Sequence, residues 1–127
     1  MEVKLKKLIN SKYVLLELGN TKGLSGIVSY SILKNIKNIN RELDVYDKAR
    51  IKICEENADK DAKGNPIIKN NSYDMDEKIL AFVNSEIEKL KEEIIDIDIK
   101  KINITDIDKA GLSAFEIESI DYMLNDN

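Results

Sequence analysis

The fold is decided by residues 25–57, SGIVSYSILKNIKNINRELDVYDKARIKICEEN. Along this stretch one stripe of side chains advances in alternating steps of four and three residues, which is a seven-residue repeat. Such a repeat keeps one face of an α-helix turned toward one partner helix. We therefore predict a helix over residues 26–57, capped by Ser25 or Ser29. The stripe comprises Ser25, Ser29, Ile32, Ile36, Ile39, Leu43, Tyr46, Arg50, Ile53 and Asn57.

A second stripe with the same period predicts the partner helix over residues 76–93, with Asp74 or Asp76 as its cap. The two helices form an antiparallel pair in this interpretation, because a compact segment joins them. Gly64-Asn65-Pro66 ends the long helix, and residues 66–73 are predicted as a small β-excursion turning at Asn70-Asn71. The partner stripe comprises Leu80, Val83, Ile87, Leu90 and Ile94.

The chain before residue 25 is predicted as one further helix over residues 5–18. Its apolar positions recur at steps of three and four, and Gly19 is the expected left-handed stop. The predicted apolar face consists of Leu5, Leu8, Ile9, Tyr13 and Leu16.

The chain after residue 93 changes period. Isoleucines alternate with aspartates from residue 95, which predicts a half-buried strand over residues 95–104 with a bend at Lys100-Lys101. Ser113 and Glu116 have the spacing of a capping box, which predicts a last helix over residues 114–124 followed by a frayed end at residues 125–127. The predicted fold is therefore a single α+β domain over residues 1–127, mostly α. A long antiparallel helical pair carries a small β-excursion, a short strand pair and a C-terminal helix.

Composition excludes several chemistries. The chain has 127 residues, 43% of them hydrophobic and 35% charged, with no histidine, no tryptophan and one cysteine. Histidine-dependent catalytic triads, histidine-ligated zinc and an intramolecular disulfide are therefore excluded, and we expect no cofactor. Apolar runs such as Val14-Leu15-Leu16 are too short to cross a bilayer. Cys54 is predicted to be a buried small apolar side chain in a reducing compartment.

Charge is unevenly distributed. Residues 1–58 carry 11 Lys or Arg against 7 Asp or Glu, whereas residues 59–127 carry 9 against 17. The basic half is suited to phosphates and the acidic half to a basic partner, but solvated helix faces give the same pattern. With two arginines and no interleaving of aromatic and basic residues, we do not expect base-specific nucleic-acid binding.

Two acidic motifs are candidate metal sites. Residues 59–64, DKDAKG, resemble the start of a calcium loop. Lys63 stands where an oxygen ligand is required and Asn70 where a bidentate glutamate is required, so a charged turn is the better interpretation. Asp96 and Asp98 would share one face of a strand, as the carboxylates of metal-dependent nucleases do. The same alternation is typical of any solvated strand face, and we favour that interpretation.

Two surfaces are predicted to bind a partner. The first is the tip of the β-excursion, because loops carry binding residues more often than scaffolds do, although an ordinary connector explains the same segment equally well. The second is the edge of the strand at residues 95–104, which could accept a strand from another chain. The candidate residues are Lys63, Gly64, Asn65, Pro66 and Tyr73 at the tip, with Asp96 and Asp98 at the strand.

Several short motifs follow one another along the chain in a characteristic order. Ser29-Tyr30-Ser31-Ile32-Leu33-Lys34-Asn35 is followed by NREL at residues 40–43, DAKGNP at residues 61–66, IDIDI at residues 95–99, LSAFE at residues 112–116 and DYML at residues 121–124. This order resembles a family of small phage and prophage proteins of unknown function from low-GC Gram-positive hosts. The usual proline after the serine of the last helix is replaced here by Ala114.

The resemblance implies a setting rather than an activity. It implies a non-enzymatic accessory protein in the cytoplasm of an infected bacterium, with a host or phage protein as its partner. One role is inhibition of a host defence system, such as a CRISPR effector. The alternative is a morphogenesis factor or a minor component of the virion, for example of the tail. Self-association is left open.

Overall fold

The computed structural model describes residues 1–125 and is α+β, mostly α, with one long helix, as the sequence predicts. The chain forms two compact units. The first comprises Met1–Leu43 together with the chain from Ile94 onward, and the second comprises Asp44–Glu93. The single domain predicted from the sequence stays a prediction. The elements are β1 (Glu2–Lys4), α1 (Leu5–Gly19), α2 (Gly26–Asn57), β2 (Ile68–Lys69), β3 (Ser72–Tyr73), α3 (Glu77–Lys91), β4 (Ile94–Asp96) and α4 (Ala114–Ser119).

The first unit contains a two-stranded antiparallel sheet of β1 and β4, in which Val3 lies opposite Ile95. The terminal ammonium group of Met1 extends this pairing, because it lies 3.0 Å from an Asp96 carboxylate oxygen, and Ile97 N–H donates to the Met1 carbonyl at 2.9 Å. Strand β1 was not predicted, because its partner strand is distant along the chain.

The boundaries of α1 and α2 agree closely with the predicted helices. The Ser25 hydroxyl accepts the Val28 N–H at 3.3 Å, so Ser25 rather than Ser29 caps α2. The predicted left-handed stop at Gly19 is wrong. Gly19 is the last residue of α1, Asn20 follows with φ −99°, and the positive φ belongs to Gly23. A Cβ at Gly19 would lie 3.2 Å from Ile36 Cδ1, so the glycine permits close approach of α2 instead.

The strand predicted over residues 95–104 is shorter than expected. Only Ile94–Asp96 is a strand, because side chains of α2 bind the backbone that follows it. The Asn35 amide, which is fully buried, donates to the Lys100 carbonyl at 2.9 Å and accepts the Lys100 N–H at 2.8 Å. The Asn38 amide donates to the Asp98 carbonyl at 3.0 Å. These side-chain hydrogen bonds take the place of the inter-strand backbone hydrogen bonds that a strand over these residues would make.

The C-terminal helix is also shorter than predicted. Ser113 and Glu116 form the expected capping box, but α4 ends at Ser119 and a 3₁₀ turn covers Asp121–Met123. The chain leaves the helix because the Met123 carbonyl accepts the Ile102 N–H at 2.9 Å, which pairs Leu124 with Ile102 in a parallel bridge. A second 3₁₀ segment covers Ile104–Ala110. Of the predicted frayed end, residues 126 and 127 lie outside the described residues.

The second unit begins in the C-terminal part of α2 and ends after α3. Between them, β2 and β3 form the predicted hairpin, and its turn at Asn70 and Asn71 has positive φ at both residues. Asp76 caps α3 by accepting the Ile79 N–H at 2.9 Å. The buried side chains of this unit include Tyr46, Ala58 and Val83.

The stripe of α2 divides between the units. Ile36 and Ile39 line a groove together with residues of α1 in the first unit. Val83 is buried in the second unit, whereas Leu80 of the same predicted stripe is 45% exposed. The predicted pairing of residues 36–43 with residues 80–87 stays a prediction.

Candidate functional site

Helix α1 is apolar on two faces, and only one of them is covered. Its covered face packs into the first unit through Leu5, Leu8, Val14, Leu15 and Leu18, with Ser11 among them. The other face carries Tyr13 and Leu16, which are 68% and 66% exposed. The sequence placed these two residues on the predicted core face with Leu5 and Leu8, and that expectation is wrong.

The N-terminal half of α2 lies beside this uncovered face and closes one side of a groove. Leu33 is 49% exposed, and Ile36 lies against Gly19 at the floor, where the missing Cβ lets the two helices approach. The groove encloses about 690 Å³. We call it the α1–α2 groove. Its lining consists of Ile9, Asn10, Lys12, Tyr13, Leu15, Leu16, Gly19, Asn20, Leu33, Ile36, Ile39 and Asn40.

The polar groups of the groove lie at its rim and its ends. Side-chain amides come from Asn10, Asn20 and Asn40. Among the described residues that line the groove, Lys12 is the only charged one. The Asn20 amide is engaged at the end of α1, where it donates to the Leu16 carbonyl at 3.0 Å. An apolar floor with few polar groups at the edge is typical of surfaces that bind apolar side chains of another molecule.

A pair of carboxyl groups lies in a second cleft, which shares Tyr13, Leu16 and Asn20 with the α1–α2 groove. A cleft of about 590 Å³ between α1 and α4 is lined by Tyr13, Leu16, Glu17, Asn20, Ala110, Gly111 and Glu116. A hydrogen bond to Glu116, with some burial, raises the pKa of Glu17. The Ser113 N–H, which donates to Glu116 Oε1 at 2.9 Å, lowers the pKa of Glu116, and the bond from Glu17 lowers it further.

Of the two carboxyl groups, Glu116 therefore loses its proton at the lower pH. The Tyr13 hydroxyl is tied to the same pair, because its hydrogen bond to Glu17 raises the pKa of Tyr13. Neither Glu17 nor Glu116 is among the residues that line the α1–α2 groove.

The predicted tip of the β-excursion is an ordered turn in the second unit. The Asp61 carboxylate accepts the Lys63 N–H at 2.9 Å and the Asn65 N–H at 3.0 Å, and Gly64 has φ +83°. Lys63, Gly64 and Asn65 are exposed, whereas Pro66 is half-buried.

Tyr73 departs from the accessible position predicted for it. It is half-buried, and its hydroxyl donates to Glu55 Oε1 at 3.2 Å. Burial, followed by this bond, raises the pKa of Tyr73. A role of the tip in binding stays a prediction.

Asp96 and Asp98 are both exposed in the first unit, at a small cleft that also contains Asn38 and Arg41. The Asp96 carboxylate pairs with the terminal ammonium group, and β1 covers one edge of β4. The structure therefore brings these two aspartates to one cleft, whereas the tip residues belong to the other unit.

The α1–α2 groove was missed because one apolar stripe was assigned to α1 where two exist. The signal was present, since Val14, Leu15 and Leu18 are apolar and lie outside the stripe of Tyr13 and Leu16. A helix with two apolar faces needs cover on both, and the face of Tyr13 and Leu16 has none.

No protein-family model, curated protein or solved structure matches the chain. The resemblance to small phage proteins stays a prediction. Among residues 1–125, no three His, Cys, Asp or Glu side chains are grouped so that they could hold a metal ion. No helix in the same part of the chain combines the length and the apolar character needed to cross a bilayer.

Proposed function

We propose that this protein acts by binding another protein through the α1–α2 groove, without catalysing a reaction. The observation that carries the proposal is the uncovered face of α1, where Tyr13 and Leu16 stand more than half exposed beside Leu33 of α2. Large apolar side chains that line one continuous groove mark a binding surface more often than scattered exposed residues do. A partner that packs on these side chains would remove their apolar surface from water. That removal is the main source of affinity in contacts of this kind.

The non-enzymatic part of the proposal is supported by composition. A chain without histidine lacks the side chain that most often serves as a general acid or base at neutral pH. The one cysteine, Cys54, is half-buried in α2.

The biological setting is proposed from the resemblance. We propose that the protein is made in the cytoplasm of a phage-infected bacterium and binds a host or phage protein there, so that it inhibits a defence system such as a CRISPR effector. The alternative is a role in virion assembly or in the virion itself, for example in the tail. The identity of the bound protein separates the two roles.

The proposal is tested by site-specific photo-cross-linking. A photoreactive amino acid replaces Tyr13 in the tagged full-length chain, and in a control it replaces Ile68, which is 61% exposed in the hairpin. Both chains are irradiated in the cells that produce the protein, and the cross-linked partner is identified by mass spectrometry and then purified. We expect one partner at position 13 and none at position 68.

A second pair of variants makes the test specific to the groove. Leu16→Gln with Leu33→Gln removes apolar surface while keeping good helix formers, so the fold is retained. These changes should abolish binding of the purified partner, whereas Val45→Gln, at a residue 64% exposed on α2, should not. A partner that cross-links at position 68 and binds the groove variant unchanged would overturn the proposal. A defence complex or assembled particles among the captured material would decide between the two roles.

A further inference from the structure

The chemistry of the groove rim restricts what can occupy it. Lys12 lies in the lining, and no acidic side chain does among the described residues. Lys37 lies on α2 four residues after Leu33 and three before Asn40, so it shares their side of the helix at the groove edge. Both lysines are exposed. The two rims of the groove therefore each present a positive charge above an apolar floor.

The dimensions of the groove fit a short helix. On α1 the lining runs from Ile9 to Asn20, which is about 16 Å at the rise of an α-helix, and on α2 it runs from Leu33 to Asn40, about 10 Å. Two to three helical turns of a partner span this length. An extended strand is not favoured, because both walls are helices whose backbone groups are already paired and offer no edge for strand addition.

We propose that the occupant is an amphipathic α-helix of a partner protein, flanked by aspartate or glutamate residues. This inference rests on the proposed function and names the chemistry of the partner. The apolar stripe of that helix packs on Leu16, Leu33 and Ile36, and its acidic flanks meet Lys12 on one rim and Lys37 on the other. A second copy of this chain is a poorer occupant, because a two-fold contact through the same groove brings like-charged rims together.

The probes for the test are three synthetic helical peptides of about 14 residues, enough for roughly four turns. They share one apolar stripe at positions i, i+3, i+4 and i+7 and differ only at the flanking positions, which are glutamate, glutamine or lysine. Binding of each peptide to the full-length chain is measured by fluorescence anisotropy at low salt and at 1 M salt.

We expect the glutamate peptide to bind about fivefold tighter than the glutamine peptide, and the lysine peptide to bind weakest. Fivefold corresponds to about 1 kcal/mol, the contribution of two exposed ion pairs. The preference should fade in 1 M salt, where the Debye length is about 3 Å. Lys12→Gln with Lys37→Gln should equalise the glutamate and glutamine peptides. The matched change of two exposed α2 lysines in the second unit, Lys48→Gln with Lys52→Gln, should leave the preference intact.

The outcomes separate this inference from the proposed function. Equal affinity for the three peptides, with binding lost in the Leu16→Gln and Leu33→Gln variant, overturns the acidic partner and keeps the groove. Absence of peptide binding while the partner still cross-links at position 13 overturns the helical occupant alone. Loss of that cross-link overturns both. A dimer in sedimentation experiments that dissociates on Leu16→Gln would assign the groove to a second copy instead.

Discussion

Leu15 and Leu16 are neighbours on α1 with opposite surroundings, and truncating each one tests which face of the helix is covered. Leu15 is 4% exposed and Leu16 is 66% exposed. Truncation of a buried leucine to alanine costs roughly 2–5 kcal/mol. Leu16 has about one third of its surface covered, and full burial of a leucine is worth about 1.5–3 kcal/mol, so its truncation should cost about 0.5–1 kcal/mol.

The two substitutions are chemically identical and change helix propensity equally, so each is the control for the other. Urea unfolding followed by circular dichroism measures both. With a slope of about 2 kcal/mol per molar urea, the midpoint should fall by about 1–2.5 M for Leu15→Ala and by no more than about 0.5 M for Leu16→Ala. Equal destabilisation, or a larger effect at Leu16, would show that Leu16 is covered and that α1 has no exposed apolar face.

Three further predictions concern stability. Asn35→Ala should lower the free energy of unfolding by about 3 kcal/mol, because both backbone groups of Lys100 lose their hydrogen-bond partner. Asn38→Ala removes a single hydrogen bond and should lower it by less than about 1 kcal/mol. Chemical unfolding of the two variants measures both changes. Burial raises the pKa of Tyr122 to about 12. Since unfolded tyrosine ionises near pH 10, stability should fall by about 1.4 kcal/mol per unit from about pH 10 to pH 12, and Tyr122→Phe should remove this part of the alkaline loss. Ser113→Ala breaks the capping box of α4 and should lower the free energy of unfolding by about 1 kcal/mol. Unchanged stability in chemical unfolding would show that the cap is not formed.

The local features of the fold were predictable because their signals are local. The seven-residue repeat and Ser25 placed α2, the pairing of Asn70 with Asn71 placed the hairpin turn, and the spacing of Ser113 and Glu116 placed the start of α4. Each signal depends on residues within a few positions of one another, so no tertiary information was needed.

The features that sequence analysis missed depend on partners far along the chain. β1 exists only because β4 lies beside it, some ninety residues later. The backbone after β4 leaves the strand because Asn35 and Asn38 bind it, and nothing in the alternating isoleucines predicts side-chain partners. Periodicity alone also does not decide which of two apolar faces of α1 is covered, and the candidate groove follows from that choice.

Binding through the α1–α2 groove is tested most directly by methyl NMR of the full chain, labelled at leucine and isoleucine, during titration with the partner recovered by cross-linking. We expect the methyl signals of Leu16, Leu33 and Ile36 to shift together at one saturating ratio while the signal of Ile68 in the hairpin stays unchanged. Shifts at Ile67 and Ile68 with an undisturbed Leu16 would contradict this expectation and would return the binding surface to the hairpin tip.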